Sequence, residues 1–199
     1  MKGLDDLYPD PLCSLEFVDA LQLLISTQLS AQCTDARVNI VTKELFKKYK
    51  TVHDYAGADP DVFEQDIKST GFYKNKTKNI IACCKTLIKN FNGKVPSTME
   101  EMLTLPGVGR KTANLVLNTV YGIPGLVIDT HAKRLVFRMG LTENTDPVKI
   151  EFELMKIIPE KRWGAFSHQL VLHGRAVCNA RKPKCGICDV SGYCPKKGL

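Results

Sequence analysis

The chain has 199 residues, enough for one domain or two small ones. Its 28 lysines and arginines against 21 aspartates and glutamates give a net charge of +7, which suits a polyanionic partner such as nucleic acid. The opening MKGLDDLYPDPLC lacks the apolar core of a signal peptide, and no stretch reaches the roughly 18 apolar residues of a membrane span, so a soluble, cytoplasmic protein is expected.

Helical periodicity dominates, and no segment alternates as a strand would. LEFVDALQLLISTQL, residues 15–29, is apolar nearly all round and predicts a helix buried on most faces. Thr34 or Asp35 is placed to cap the next, with Val38, Val41, Leu45 and Tyr49 on one face. Asp59 then stands as an N-cap with Pro60 at the first helical position and Gly71 just past the end. A further helix is expected from about Lys76, with Ile80, Ile81, Cys84, Leu87 and Ile88 inward. Ser97 to Glu100 has the S-x-x-E form of a capping box and predicts a short helix ending near Leu105. After LPGVG, Ala113, Val116, Leu117, Val120 and Tyr121 define the inner face of another helix. Asp129 caps a helix closed by Gly140, Asp146-Pro147 starts the next, and Trp163 to Leu172 forms the last. The fold class read from this pattern is all-α.

LPGVGRKTA, residues 105–113, breaks a local rule. Arg110 and Lys111 fall in the first turn of a helix, where the dipole disfavours cations by a few tenths to about 1 kcal/mol. Such an uncompensated violation marks a candidate functional site. GVGRKT does not have the P-loop spacing, and a helix rather than a strand precedes it. Between two helices, Gly107 and Gly109 let backbone N–H groups approach a phosphate oxygen closely; the plain alternative is a structural turn.

Eight cysteines divide into two sets. Cys13, Cys33, Cys83 and Cys84 lie in apolar segments, where thiols behave as small buried hydrophobes. Cys178, Cys185, Cys188 and Cys194 have the spacing C-x6-C-x2-C-x5-C, which reads as metal ligation, with zinc or an iron–sulfur cluster as occupants. Between the first two, NARKPK carries Arg181, Lys182 and Lys184, placed either to meet a DNA backbone or to offset the charge of the metal site.

LPGVGRKTANLVLNT, then VIDTHAKRL, then the four-cysteine loop together resemble the endonuclease III family, bifunctional DNA glycosylases of the helix-hairpin-helix superfamily. The likeness runs in order from about Leu15 to Cys194. It implies that Lys111 and Asp129 are catalytic and that the cysteines hold a [4Fe–4S] cluster. It also implies that Gly107, Gly109, Arg110 and the basic loop meet DNA, and that Gln32 and Phe72 fill the gap left by an extruded base. Phe72 stands where leucine is frequent in the family, so its alternative is a core aromatic, and that of Gln32 a polar helix end. The related adenine glycosylases lack a lysine at position 111 and carry a further C-terminal domain, so this chain is expected to combine glycosylase and lyase chemistry.

Lys111 must be neutral to attack, and a helix N-terminus, Arg110 and partial burial are all expected to favour that form. Two lobes are expected: residues 13–123 with the hairpin at about 98–121, and residues 1–12 with 124–199 carrying the cluster. Lys111 and Asp129 then fall on either side of a cleft. The chain begins close to DLYPDP and lacks most of the family's first helix, which predicts a later start or a looser second lobe. The implied activity is release of oxidised pyrimidines from double-stranded DNA and cleavage at the abasic site, by a monomer. A glycosylase for mismatched thymine or uracil, and a non-enzymatic iron–sulfur DNA-binding protein, remain the alternatives.

Overall fold

A computed structural model describes residues 2–199 as helices, turns and coil, with no strand among the described residues. The chain divides into two units, Cys13–Tyr121 and Met1–Leu12 with Gly122–Leu199.

A short helix, α1 (Lys2–Leu7), opens the chain. The first unit then holds α2 (Ala20–Leu29), α3 (Asp35–Lys48), α4 (Val52–Ala56), α5 (Pro60–Ile67), α6 (Tyr73–Phe91), α7 (Met99–Met102) and α8 (Arg110–Tyr121). Helix α6 lies against α2, α4 and α5, and α8 against α2 and α7. Their shared core includes Leu23, Leu24, Ile25, Phe63, Ile80, Leu87 and Val116, all fully buried. Cys83 and Cys84 belong to it as expected, and burial pushes the Cys83 thiol up to about 11. Cys13 and Cys33 are only half-buried.

Several helix starts are set by local chemistry. Thr34, Asp59 and Asp146 accept a backbone N–H two or three residues ahead. Helix α2 begins five residues later than its apolar run suggests, because Asp19 caps it by accepting from Gln22 N at 2.8 Å and Val18 is left in solvent. At α7 the cap is Thr98 rather than Ser97: its Oγ accepts from Glu101 N, and its hydroxyl donates to the Glu101 carboxylate at 2.8 Å. Helix α6 starts at Tyr73, so Lys76 lies inside its first turn. Tyr121 does not join the core; it is 37% exposed and donates its hydroxyl to Val95 O.

The second unit contains α9 (Thr130–Arg138), α10 (Pro147–Ile157) and α11 (Trp163–Ala176), the last four residues longer than predicted. Leu4, Leu135, Leu154, Phe166 and Leu170 form its core. The short N-terminus is not loose. Leu4 is 2% exposed within that core, Asp5 pairs with Arg162, and Gln169 Nε2 donates to Asp5 Oδ1 and Tyr8 O.

Candidate active site and DNA interface

In the first unit, α7 and α8 are joined by a turn whose two apolar residues are sunk into the core: Leu105 is 2% and Val108 8% exposed. Val108 N donates to Leu105 O at 3.1 Å, closing the turn. The two glycines have different reasons. Gly107 has φ +73°, and a Cβ there would meet Asn79 Cβ at 2.8 Å and Gln28 Oε1 at 3.0 Å, so internal packing alone demands glycine. Gly109 has ordinary φ and open space where its Cβ would stand. Its carbonyl accepts from Ala113 N at 2.9 Å, which places it at the start of α8. Arg110 is half-buried, while Lys111 is exposed, contrary to the partial burial expected of it.

Gln32 and Phe72, far apart in sequence, line one open cavity of about 610 Å³ together with Gly107, Asn75, Asn79 and Thr112. Both adopt left-handed backbone, with φ of 54° and 49°, a conformation that non-glycine residues take only where the surrounding structure imposes it. Phe72 is 60% exposed, which removes the core-aromatic alternative. Gln32 is exposed beyond the end of α2.

In the second unit, Leu126, Val127 and Ile128 are buried and lead into Asp129. Val127 N donates to Ser167 Oγ at 2.9 Å, and that hydroxyl donates to Trp163 O, which fixes the approach. Asp129 Oδ1 caps α9 by accepting from Ala132 N at 2.7 Å. Two residues on, burial holds His131 below the usual histidine range against the pull of Asp129.

The four predicted cysteines come together. Cys178, Cys185, Cys188 and Cys194 line one half-open pocket. Burial raises the Cys188 thiol, and the other three thiols raise it further, because thiolates crowded together repel. Among the described residues no three such donors surround a single ion position. Of the basic loop, Arg181 and Lys182 are exposed, whereas Lys184 donates its ammonium to Ala176 O at 3.1 Å and so also pins the loop.

Several residues around these sites escaped the sequence reading. Arg138, 7% exposed, donates to Asn179 O at 2.7 Å, Ala180 O at 2.8 Å and Cys178 Sγ at 3.4 Å. Arg134 donates to Gly174 O and twice to Cys178 O. His173, fully buried, has Nε2 3.4 Å from Cys188 Sγ and Nδ1 3.4 Å from the Tyr8 hydroxyl. Burial raises Tyr8 above the ordinary tyrosine range, so the phenol keeps its proton beside the ring. The two arginines lie four apart on α9, a spacing that puts both on one helix face and was the available signal.

Comparison with known proteins defines the class. Residues 25–160 match the HhH-GPD superfamily of base excision DNA repair proteins. Endonuclease III from Synechocystis sp. is 52% identical over 96% of this chain and 88% of its own length. That from Bacillus subtilis is 41% identical over the whole of this chain and 94% of its own. A solved structure of a non-covalent endonuclease III–DNA complex superimposes with a TM-score of 0.95 at 43% identity, covering 98% of this chain and 92% of that one. A trapped covalent endonuclease III–DNA intermediate superimposes equally well at 42% identity. The chain belongs to the endonuclease III family and is a DNA glycosylase and abasic-site lyase of base excision repair.

Proposed function

We propose that Lys111 is the nucleophile and Asp129 its acidic partner in the release of oxidised pyrimidines from duplex DNA. The observation that carries this reading is Gly109: nothing inside the protein requires a glycine there, so the open space beside it suits an external group, with Lys111 exposed two residues on. A phosphate oxygen at the start of α8 would meet first-turn N–H groups that have no carbonyl one turn back. It would also offset the cationic charge placed at the wrong end of the helix dipole.

The neutral amine attacks C1′ as the glycosidic bond breaks, and the base leaves with the bonding pair. The oxocarbenium character of that transition state is stabilised by a carboxylate, the role of Asp129 Oδ2, while Oδ1 remains the helix cap. The attacking nitrogen loses one proton and the ring oxygen takes one up as the sugar ring opens, leaving a protonated Schiff base between Lys111 and C1′. The iminium acidifies the C2′ hydrogens. Removal of one expels the 3′ phosphate, and water then releases the lysine. Before any of this the base must leave the stack, and Gln32 and Phe72 are the side chains assigned to the gap. Arg110, Arg181, Lys182 and Lys184 serve the phosphate backbone.

The four thiols, with Arg138 and His173 directed at two of the sulfurs, fit a [4Fe–4S] cluster. Bound there, it would tie the C-terminal loop into one body; no bond-breaking step needs it. No described helix is long and apolar enough to cross a membrane, and we place the protein in the cytoplasm with the DNA, acting as a monomer.

Borohydride trapping tests the reading. Wild-type protein on a duplex with one oxidised thymine is expected to give a covalent adduct mapping to Lys111, and Lys111→Gln none. An adduct of equal yield on another residue would reject the assignment.

A further inference from the structure

Lys76 lies in the first turn of α6, yet it is only 5% exposed. Its ammonium donates to Leu29 O at 2.7 Å and to Thr70 O at 2.9 Å. No carboxylate among the described residues is its partner; burial pulls it below the ordinary lysine range, with Cys33 acting the other way. A buried cation without a counter-ion is an arrangement that an apolar residue would avoid, since burial of charge is costly unless donors are well used. What this one gains is a link between two segments. Leu29 ends α2, three residues before Gln32. Thr70 ends the turn before Gly71, two residues before Phe72. Both tethers are therefore short, and both end in a side chain held by left-handed backbone at the edge of one cavity that Lys76 itself lines.

We propose that Lys76 is a positioning residue for DNA engagement: its ammonium fixes the separation of the two segments that bear Gln32 and Phe72, so that both enter the duplex together. The proposal rests on the reading that these two side chains fill the gap left by the extruded base. Lys76 touches neither base nor sugar, and its effect passes through the two carbonyls. Without it, each segment relaxes independently, and the pair no longer presents one spacing to the DNA. Chemistry at Lys111 is untouched once a sugar is presented without a duplex to open.

The test uses the full-length protein, two substrates and a double-mutant cycle. One substrate is a duplex with a single oxidised thymine, the other a single strand with an abasic site, which has no gap to fill. K76M, Q32A and F72A are each expected to lose about tenfold or more in kcat/KM on the duplex, and K76M to cleave the single strand at close to the wild-type rate. K76M/F72A is expected to be no worse than F72A, because both act through one engagement. If K76M does not fold, K76R, which keeps a cation at the carbonyls but alters its reach, is expected to show the same selective duplex loss more weakly. Wild-type duplex activity in K76M alongside losses in Q32A and F72A would overturn the clamp and leave the gap-filling assignment standing. Additive losses in the double variant would likewise overturn it. Wild-type duplex activity in both Q32A and F72A would remove the gap-filling reading and the clamp with it.

Discussion

The hairpin turn and the cysteine loop are both irregular and both carry positive charge, but they are held by different means. The turn is anchored by Leu105 and Val108 in an apolar core and by Asn79 and Gln28 closing over Gly107. The loop from Val177 to the C-terminus contains no buried residue. Its order comes from outside: Arg134 and Arg138 hold its carbonyls, His173 faces Cys188, and Cys194 Sγ meets Arg138 O at 3.2 Å. A turn with two core side chains holds its shape through burial worth roughly 1.5–3 kcal/mol for each. A loop whose Cys178 and Val190 only rest half-buried against the second core depends more on polar contacts, whose net contribution is about 1 kcal/mol apiece, so a coordinated cluster has most to add there.

The contrast breaks first at the ligands. Wild-type protein is expected to hold about four irons per chain. Cys188→Ser is expected to lose them, with fast amide exchange spreading through residues 177–199 while the helices of Cys13–Tyr121 keep their protection. Stoichiometric zinc with little iron, or equal loss of protection in both units, would contradict the account.

Arg138→Met sharpens the contrast without replacing a ligand, though it also removes a donor to Cys178 Sγ. Two carbonyls lose their donor, and at about 1–3 kcal/mol each the expected cost is about 3 kcal/mol, read as a lower urea midpoint of the cluster-bearing unit. Val108→Ala makes the matching change in the hairpin turn, at about 1 kcal/mol for a small core truncation, with little effect on iron content.

Acid should also find the cluster-bearing unit first. Burial holds His168, on α11, below its ordinary 6.5. As pH falls below about 6.5 the unfolded chain takes up this proton before the folded one does, so stability drops, by at most about 1.4 kcal/mol per pH unit for one group. The loss ends once the folded ring is protonated too. Urea unfolding between pH 7.5 and 5 checks this: His168→Gln is expected to flatten the slope, and an unchanged slope would show that other groups carry it.

The smallest expected effect lies in the basic loop. Lys182 is exposed, whereas Lys184 donates to Ala176 O. Its replacement by alanine should reduce the slope of log K against log salt on undamaged duplex by about 0.9, with lesion preference unchanged. An unaltered slope would assign Lys182 to charge balance around the cysteines.

What sequence made legible was mostly local. The caps at Thr34, Asp59, Asp129 and Asp146 need only an oxygen and an N–H two or three residues ahead, and a positive-φ glycine in LPGVG needs only a tight turn. The all-helical class followed from periodicity. The start of α2 was misjudged because an apolar run does not reveal where Asp19 turns the chain. The exposure of Phe72 was undecidable, since an aromatic at a helix start suits a core or a surface equally. Lys76, Arg134, Arg138 and His173 were passed over as charges or polar residues on helices. Their partners lie 40 or more residues away, except for Thr70, for His131 beside Arg134 and for Cys188, which follows His173 by 15 residues, and only the folded chain brings them within 3.4 Å. The residues that support a site are thus harder to read than the residues that define it.

The central claim is that bond breaking is divided between Lys111 and Asp129. Single-turnover assays of Lys111→Gln and Asp129→Asn on one lesion duplex, scoring base release and strand cleavage separately, test it most directly. Lys111→Gln is expected to bind DNA but to lose strand cleavage by on the order of 10³-fold or more. Asp129→Asn is expected to slow base release while still cleaving abasic sites already formed. Strand cleavage by Lys111→Gln equal to wild type would contradict the account.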